Sequence, residues 1–201
     1  MSGPNTSATG GYLRPAGVLP AYDADLDAIL QSVVVGITGL DGVMVRPRWQ
    51  PNPPAAPDQG VNWCAIGVTR ITPQDTPDSR HLGDRDGGLG RTQLRHHEEL
   101  EVLASFYGPS AHGLATQLRD GLSISQNREY MLSVDMAYVS VEPVVSASDL
   151  VNTEWRRRAD LPIRLRRRVT REYLIRNVLE AEGTIASADD GASVEPFTTV
   201  R

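Results

Sequence analysis

The chain contains no lysine, and all twenty of its basic residues are arginine, a usage that fits the coding bias of a GC-rich genome. No Gly-Lys-Ser/Thr therefore follows the glycines between Asp84 and Gly90, and no strand-to-helix junction holds them, so a phosphate-cradling loop is unsupported. Cysteine occurs once, at Cys64, which rules out an internal disulfide. Between Trp63 and Ala65 in a predicted strand, that thiol reads as a small buried hydrophobe. No run of about 18 apolar residues occurs, and no basic segment precedes an apolar run at the start, so neither a membrane span nor a secretory signal is expected. The expectation is a soluble protein that stays where it is made. The net charge of −5 argues against a protein that coats DNA over its whole surface, which would be basic, but leaves room for a local basic face.

What is present suits one domain, since 201 residues with 40% hydrophobic content can bury a real core. A helix is predicted from Asp23 to Thr38, with Leu26, Ile29, Leu30, Val33, Val34 and Ile37 as its apolar stripe and Gly39 near its end. Strands are expected at about 43–49, 61–71 and 93–107. In the last of these Leu100, Val102, Ala104 and Phe106 alternate with Glu99, Glu101, Leu103 and Ser105. Gly108-Pro109 stops that strand, and Ser110 is placed to cap a helix over 111–122 whose apolar face is Ala111, Leu114, Ala115, Leu118 and Leu122. A shorter helix near 126–132 and a strand at about 135–141 follow. The fold class is α+β: a mostly antiparallel sheet of about five strands with helices packed on one face, long loops and terminal arms. Residues 1–22 read as a flexible N-terminal arm, 23–184 as the domain and 185–201 as a flexible C-terminal tail.

Arginine is unevenly distributed, with nine of the twenty between Arg156 and Arg176. There Trp155, Ala159, Leu161, Ile163, Leu165 and Val169 take odd positions, while Arg156, Arg158, Asp160, Arg164, Arg166 and Arg168 take even ones. The pattern predicts a long strand with one apolar and one basic face. Arg157 and Arg167 break it, and Pro162 cannot donate to a ladder, so an edge position or a bulge is expected there. The basic face has three readings: solvated or paired across strands with Glu98, Glu99, Glu101 or Glu142, set against a partner's carboxylates at a subunit interface, or in contact with DNA phosphates.

Segments 1–22, 46–60, 72–91 and 185–201 have little apolar periodicity. Loops of that length are usually functional or disordered. Pro47, Pro51, Pro53, Pro54 and Pro57 stiffen the first long loop toward an extended conformation, making Trp49, Pro51 and Pro54 candidate contacts for a neighbouring subunit. The glycine- and aspartate-rich 72–91 segment is expected to be flexible and acidic. Both loops also fit simple surface loops.

No catalytic, cofactor or metal site can be assembled. His96 and His97 are adjacent on a strand and point to opposite faces, and His-Glu-x-x-His spacing is absent. Asp84-Arg85-Asp86-Gly87-Gly88 opens like a calcium loop, but Arg95 stands where the twelfth-position glutamate belongs. Ser110 and Ser123 have no assigned base. An enzyme would require a concave site with perturbed carboxylates, which no spacing predicts.

Five short motifs in order nevertheless carry a resemblance. Arg48-Trp49-Gln50-Pro51 through Pro54, the strand Asn62-Trp63-Cys64-Ala65-Ile66-Gly67-Val68-Thr69, Ser105-Phe106-Tyr107-Gly108-Pro109, Arg119-Asp120-Gly121-Leu122 and Gln126-Asn127-Arg128-Glu129 together resemble the phage neck and tail terminator-like proteins over roughly residues 29–184. The resemblance implies a non-enzymatic virion protein assembled in the host cytoplasm as a ring, with six copies expected, at the head-proximal end of a tail. Its implied partners are itself, the tail-tube protein, a neck or connector protein and a sheath protein, with DNA passing only transiently through the ring; no membrane is implied. A neck adaptor between portal and tail has the same ring logic and remains an alternative, as does a nucleic-acid-binding module. The expected contact residues are Arg156, Arg158, Arg164, Arg166, Arg168, Trp49, Pro51 and Pro54. Trp63, Phe106, Gly108 and Pro109 read as packing and turn residues. Arg119, Asp120, Gln126, Asn127 and Arg128 either tie the corner between two helices or face a partner.

Overall fold

The computed structural model describes residues 5–74, 76–151, 154–186 and 194–200. These fall into two compact units, a larger one from Pro20–Asp78 and Arg95–Thr170 and a smaller one from Met1–Leu19, Ser79–Leu94 and Arg171–Arg201.

The larger unit opens with α1 (Asp23–Thr38), whose Leu26, Leu30, Val34 and Thr38 are buried and which stops at Gly39 in the left-handed region, where glycine carries no Cβ penalty. A 3-10 turn (Gly42–Met44) leads into β1 (Val45–Pro47), then β2 (Trp63–Pro73), β3 (Asp78–Leu82), β4 (Arg91–Tyr107), α2 (Ala111–Gly121) and α3 (Ser125–Ser133). The chain continues through β5 (Met136–Val141), β6 (Val145–Ser146), β7 (Asp149–Val151), β8 (Glu154–Arg156) and β9 (Arg158–Tyr173). The main sheet runs β1-β2-β4-β9-β5, with β3 beside β4 and β6 beside β9. It is mostly antiparallel, as predicted, with the exception that β1 pairs parallel to β2. β7 and β8 form a separate two-stranded ladder.

One face of the sheet carries the core. Cys64 and Ile66 of β2, Leu100, Val102, Ala104 and Phe106 of β4 and Ala159, Leu161, Ile163 and Leu165 of β9 pack with Leu26, Leu30, Val34, Ala115, Leu118, Leu122 and Met131 of the helices. Each large aliphatic chain buried there contributes roughly 1.5–3 kcal/mol. The odd-even alternation of β9 holds from Ala159 to Val169, but Trp155 and Arg156, expected on the same strand, lie on the separate β8, where Trp155 is exposed rather than buried. The position of the long strand also differs from expectation. β9 lies inside the sheet between β4 and β5, and Pro162 is accommodated because its neighbour is interrupted there: the β5 ladder ends at Val141↔Ile163 and that of β6 resumes at Val145↔Asp160. Helix α2 also starts differently. The Ser110 side chain makes no cap; instead the Ser110 N–H donates to Asn62 Oδ1 at 2.8 Å.

The smaller unit holds most of the segment expected to be a flexible loop. β3 pairs with β4, and the 83–90 turn is gathered by Asn177, whose side-chain amide donates to the carbonyls of Gly83 and Gly88 at 2.8 and 2.6 Å. Its backbone N–H donates to Leu89 O at 2.7 Å, and Asp86 binds Arg91 and Arg176. These two hydrogen-bonded guanidinium partners hold the Asp86 carboxyl below the usual carboxylate range. Residues of the expected N-terminal arm also take part, through an isolated bridge of Ala16 with Glu172 and a bond from Ser7 N–H to Leu174 O. β10 (Glu180–Ala186) and β11 (Val194–Val200) form an antiparallel ladder, so the boundary placed at residue 185 falls within a strand. Residues 187–193 and 201 of the expected tail lie outside the described residues.

Candidate assembly surface

Three features of the larger unit could meet a partner, beginning with a cleft of about 910 Å³ between α1 and β2. Tyr22, Asp23, Leu26, Asp27 and Gln31 form one wall and Gly67–Ile71 the other, with Arg48, Trp49, Gln50 and Pro51 of the proline loop at the rim. The loop is pinned at its root: Arg48 donates its N–H to Ile66 O at 2.9 Å and its guanidinium to Ser105 Oγ at 2.9 Å, and Gly67 leaves room for the Arg48 side chain. Trp49 is 78% exposed, and Pro51 and Pro54 are exposed. Burial, with help from nearby Asp23, pushes the Asp27 carboxyl above its ordinary range.

The second feature is the sheet face opposite the core. Arg164 lies 3.8 Å from Glu99 and 3.7 Å from Glu142, so two of the four carboxylates anticipated for the arginines are found there, while Arg166 is exposed on the same alternation. Arg168 pairs with Asp135. Arg158 is forked onto Asp160 at 2.8 Å and reaches Asp149 at 3.1 Å. Its hydrogen bonds to Asp160 are the main cause of a proton affinity above that of free arginine. Arg156 donates to Pro57 O at 3.0 Å. The exposed pairs of Arg164 and Arg168 are worth about 0–1 kcal/mol, so a partner's carboxylates can replace them at little cost, whereas the part-buried Arg158 fork stays within the subunit.

The third is an aromatic end. Trp63 stacks on Tyr107 with centroids 4.2 Å apart and planes 9° apart. The Arg46 guanidinium sits over Trp63 and that of Arg158 over Tyr107. Trp155, Arg156 and Arg157 line a pocket of about 300 Å³ beside this stack. Phe106 is fully buried. Gly108 has φ +104° and packs so closely on Val61 and Asn62 that no side chain fits; the Pro109 carbonyl accepts from Arg157 at 3.1 Å.

The helix corner is tied from within. Arg119 binds Asp120 at 2.9 Å, Asn127 donates to Gly121 O at 2.9 Å, and Arg128 donates to Ser125 Oγ at 3.3 Å and covers the Tyr138 ring. Gln126 is exposed. Gly121 is required because α1 passes so close that a Cβ would stand 2.3 Å from Ile37 Cγ2.

Sequence reasoning missed the polar centre beneath the sheet. Arg167 and Glu98 pair at 2.9 Å with side chains only 4% and 9% exposed. Tyr22 Oη donates to Glu98 at 2.9 Å, His96 stands 3.2 Å away, and the Arg167 guanidinium lies 4.1 Å from the Tyr22 ring. Burial alone would raise the Glu98 carboxyl, but hydrogen bonds from Tyr22, Arg167 and His96 outweigh it and hold it below the usual range. The signal was legible: Glu98 and Arg167 are charges of opposite sign standing in the apolar phase of two strands.

Among the described residues no three His, Cys, Asp or Glu side chains converge where a metal could be held, and no helix is long and apolar enough to cross a membrane. No curated protein matches the chain. The model of the phage neck terminator protein family matches residues 24–190, taking in the α1–β2 cleft, the arginine strand and the helix corner together. On that match the chain belongs to the phage neck terminator family, structural proteins of the virion neck.

Proposed function

We propose that the protein closes into a non-catalytic ring at the head-proximal end of a phage tail, ends growth of the tail tube and joins the tail to the neck. The mechanism is steric. One ring face copies the contacts by which tube subunits stack, and the other does not repeat them, so addition stops. The interface around the ring is heterologous, each subunit offering one surface and accepting another, and it closes only at the right rotation. Six copies are expected, with the tail-tube protein on one side, a connector on the other, the sheath protein as a further contact and DNA passing through the lumen.

The observation that carries this reading is the surface at Trp49: a large aromatic side chain left exposed on a proline-stiffened loop, at the rim of an apolar cleft. Exposed apolar surface of this kind marks an interaction site, and a stiff loop loses little entropy on docking. The test is the tail-length distribution, by electron microscopy, in lysates of the parent phage with this gene silenced. Overlong, headless tails are expected. Tails of normal length that fail to join filled heads would make the protein a neck adaptor, and wild-type particles would refute both.

A further inference from the structure

A heterologous ring needs two different surfaces that fit each other, and the two ends of the main sheet supply them. At one end β1 covers β2 only from Cys64 to Ile66. After Arg48 closes that short ladder on Ile66 O the chain leaves, so the outer edge of β2 from Val68 to Pro73 has no backbone partner among the described residues. This open edge forms one wall of the α1–β2 cleft. At the other end β5 bonds, among the described residues, to β9 on one side only. Its sequence, Met-Ala-Tyr-Val-Ser-Val, carries none of the charges or prolines that usually protect an edge from pairing with another chain.

The two edges agree in length, and the surfaces beside them agree in apolar character and are opposite in charge. The six residues of β5 match the span Val68–Pro73, in which every residue but the terminal Pro73 has a backbone N–H. Alongside β5, Ile124, Tyr130 and Leu132 of the α3 region are exposed apolar side chains, while the cleft beside β2 is an apolar trough with Leu26 in its wall and Trp49 at its rim. Asp27 in that wall has no cation among the described residues, and Arg128 beside β5 makes no ion pair among them.

We propose, building on the ring reading above, that β5 of one copy adds as a strand to the open edge of β2 in the next, with α3 seated in the cleft and Arg128 facing Asp27. The sheet then runs on from copy to copy, and main-chain hydrogen bonds supply the affinity while the cleft supplies the specificity, as in strand addition generally.

The test is cross-linking between Ile71→Cys and Val139→Cys, positions 39% and 47% exposed on the two edges. The natural Cys64 is fully buried and silent to thiol reagents in the folded chain. With a short bismaleimide, a mixture of the two single variants yields a covalent dimer, the double variant yields a ladder ending at the ring, and neither single variant cross-links alone. Native mass measured in parallel separates the two claims. Rings of full mass without cross-links in the mixture, or dimers formed by I71C alone, overturn the edge pairing and leave the ring standing. A chain that stays monomeric at every concentration overturns both.

Discussion

Replacing Arg167 with Met should be among the most damaging single changes available to this fold. The guanidinium donates to Glu98 Oε2 at 3.0 and 2.9 Å, donates to the Ala21 carbonyl and stacks on Tyr22. Methionine fills much of the same space but strands a nearly buried carboxylate with only Tyr22 and His96 beside it. Breaking one side of a buried pair costs about 3–5 kcal/mol. With a urea slope of about 1–3 kcal/mol per molar, the unfolding midpoint should fall by roughly 1 M or more. Adding Glu98→Gln removes the stranded charge, and uncharged replacement of both partners is often close to neutral, so the double variant should regain most of the loss. The pH dependence has a defined sign. The Glu98 carboxyl titrates lower in the folded protein than its ordinary value of 4.5, so its contribution is fully present above that value and is lost as the pH falls through the depressed one. R167M, lacking the main cation, should lose less stability over the same acid range. A loss under about 1 kcal/mol for R167M, with no recovery in the double variant, would refute the coupling.

Three further outcomes are expected. Gly108→Ala forces a side chain into a φ of +104° with its Cβ 2.5 Å from Val61 O; the strain is of order 1–3 kcal/mol, and an unchanged thermal midpoint would contradict it. Gly121→Ala should lose roughly 1–3 kcal/mol by overpacking against Ile37, and adding Ile37→Ala should restore part of it; chemical denaturation of the three variants measures this directly. Arg164→Glu with Arg166→Glu should leave the circular dichroism spectrum intact and reduce ring or tail assembly, while normal particle yields from that double variant would remove the basic face from the interface.

The fold was legible where the apolar period was long. Helix α1 runs over the predicted span because its stripe from Leu26 to Ile37 persists for about three turns and Gly39 ends it, and β9 follows its arginine alternation because the odd residues from Ala159 to Val169 are buried. Short or weakly apolar strands escaped. β3 is built from Asp78, Ser79, Arg80, His81 and Leu82, and β10 and β11 have no clear alternation, so their order comes from pairing with the next strand along the chain and, for the 83–90 turn, from the distant Asn177, which an apolar period cannot show. The interior placement of β9 was hidden for a similar reason, since Pro162 bars a donor at one position but says nothing about whether the neighbouring strand is interrupted there. At the candidate surface, the proline loop, the basic face and the helix-corner residues were visible as unusual residue choices. The cleft was not, because its two walls lie on α1 and β2, and only folding brings them together.

The exposed aromatic residues also give the protein a signal of its own. Two of its three indoles, Trp49 and Trp155, are 78% and 70% exposed, while Trp63 lies against Tyr107. The separate chain should therefore fluoresce largely as water-exposed tryptophan, red-shifted and open to quenching by iodide. Covering the proline loop or the aromatic end should move the emission to the blue and shield it from the quencher, so assembly can be followed in real time in the unlabelled protein.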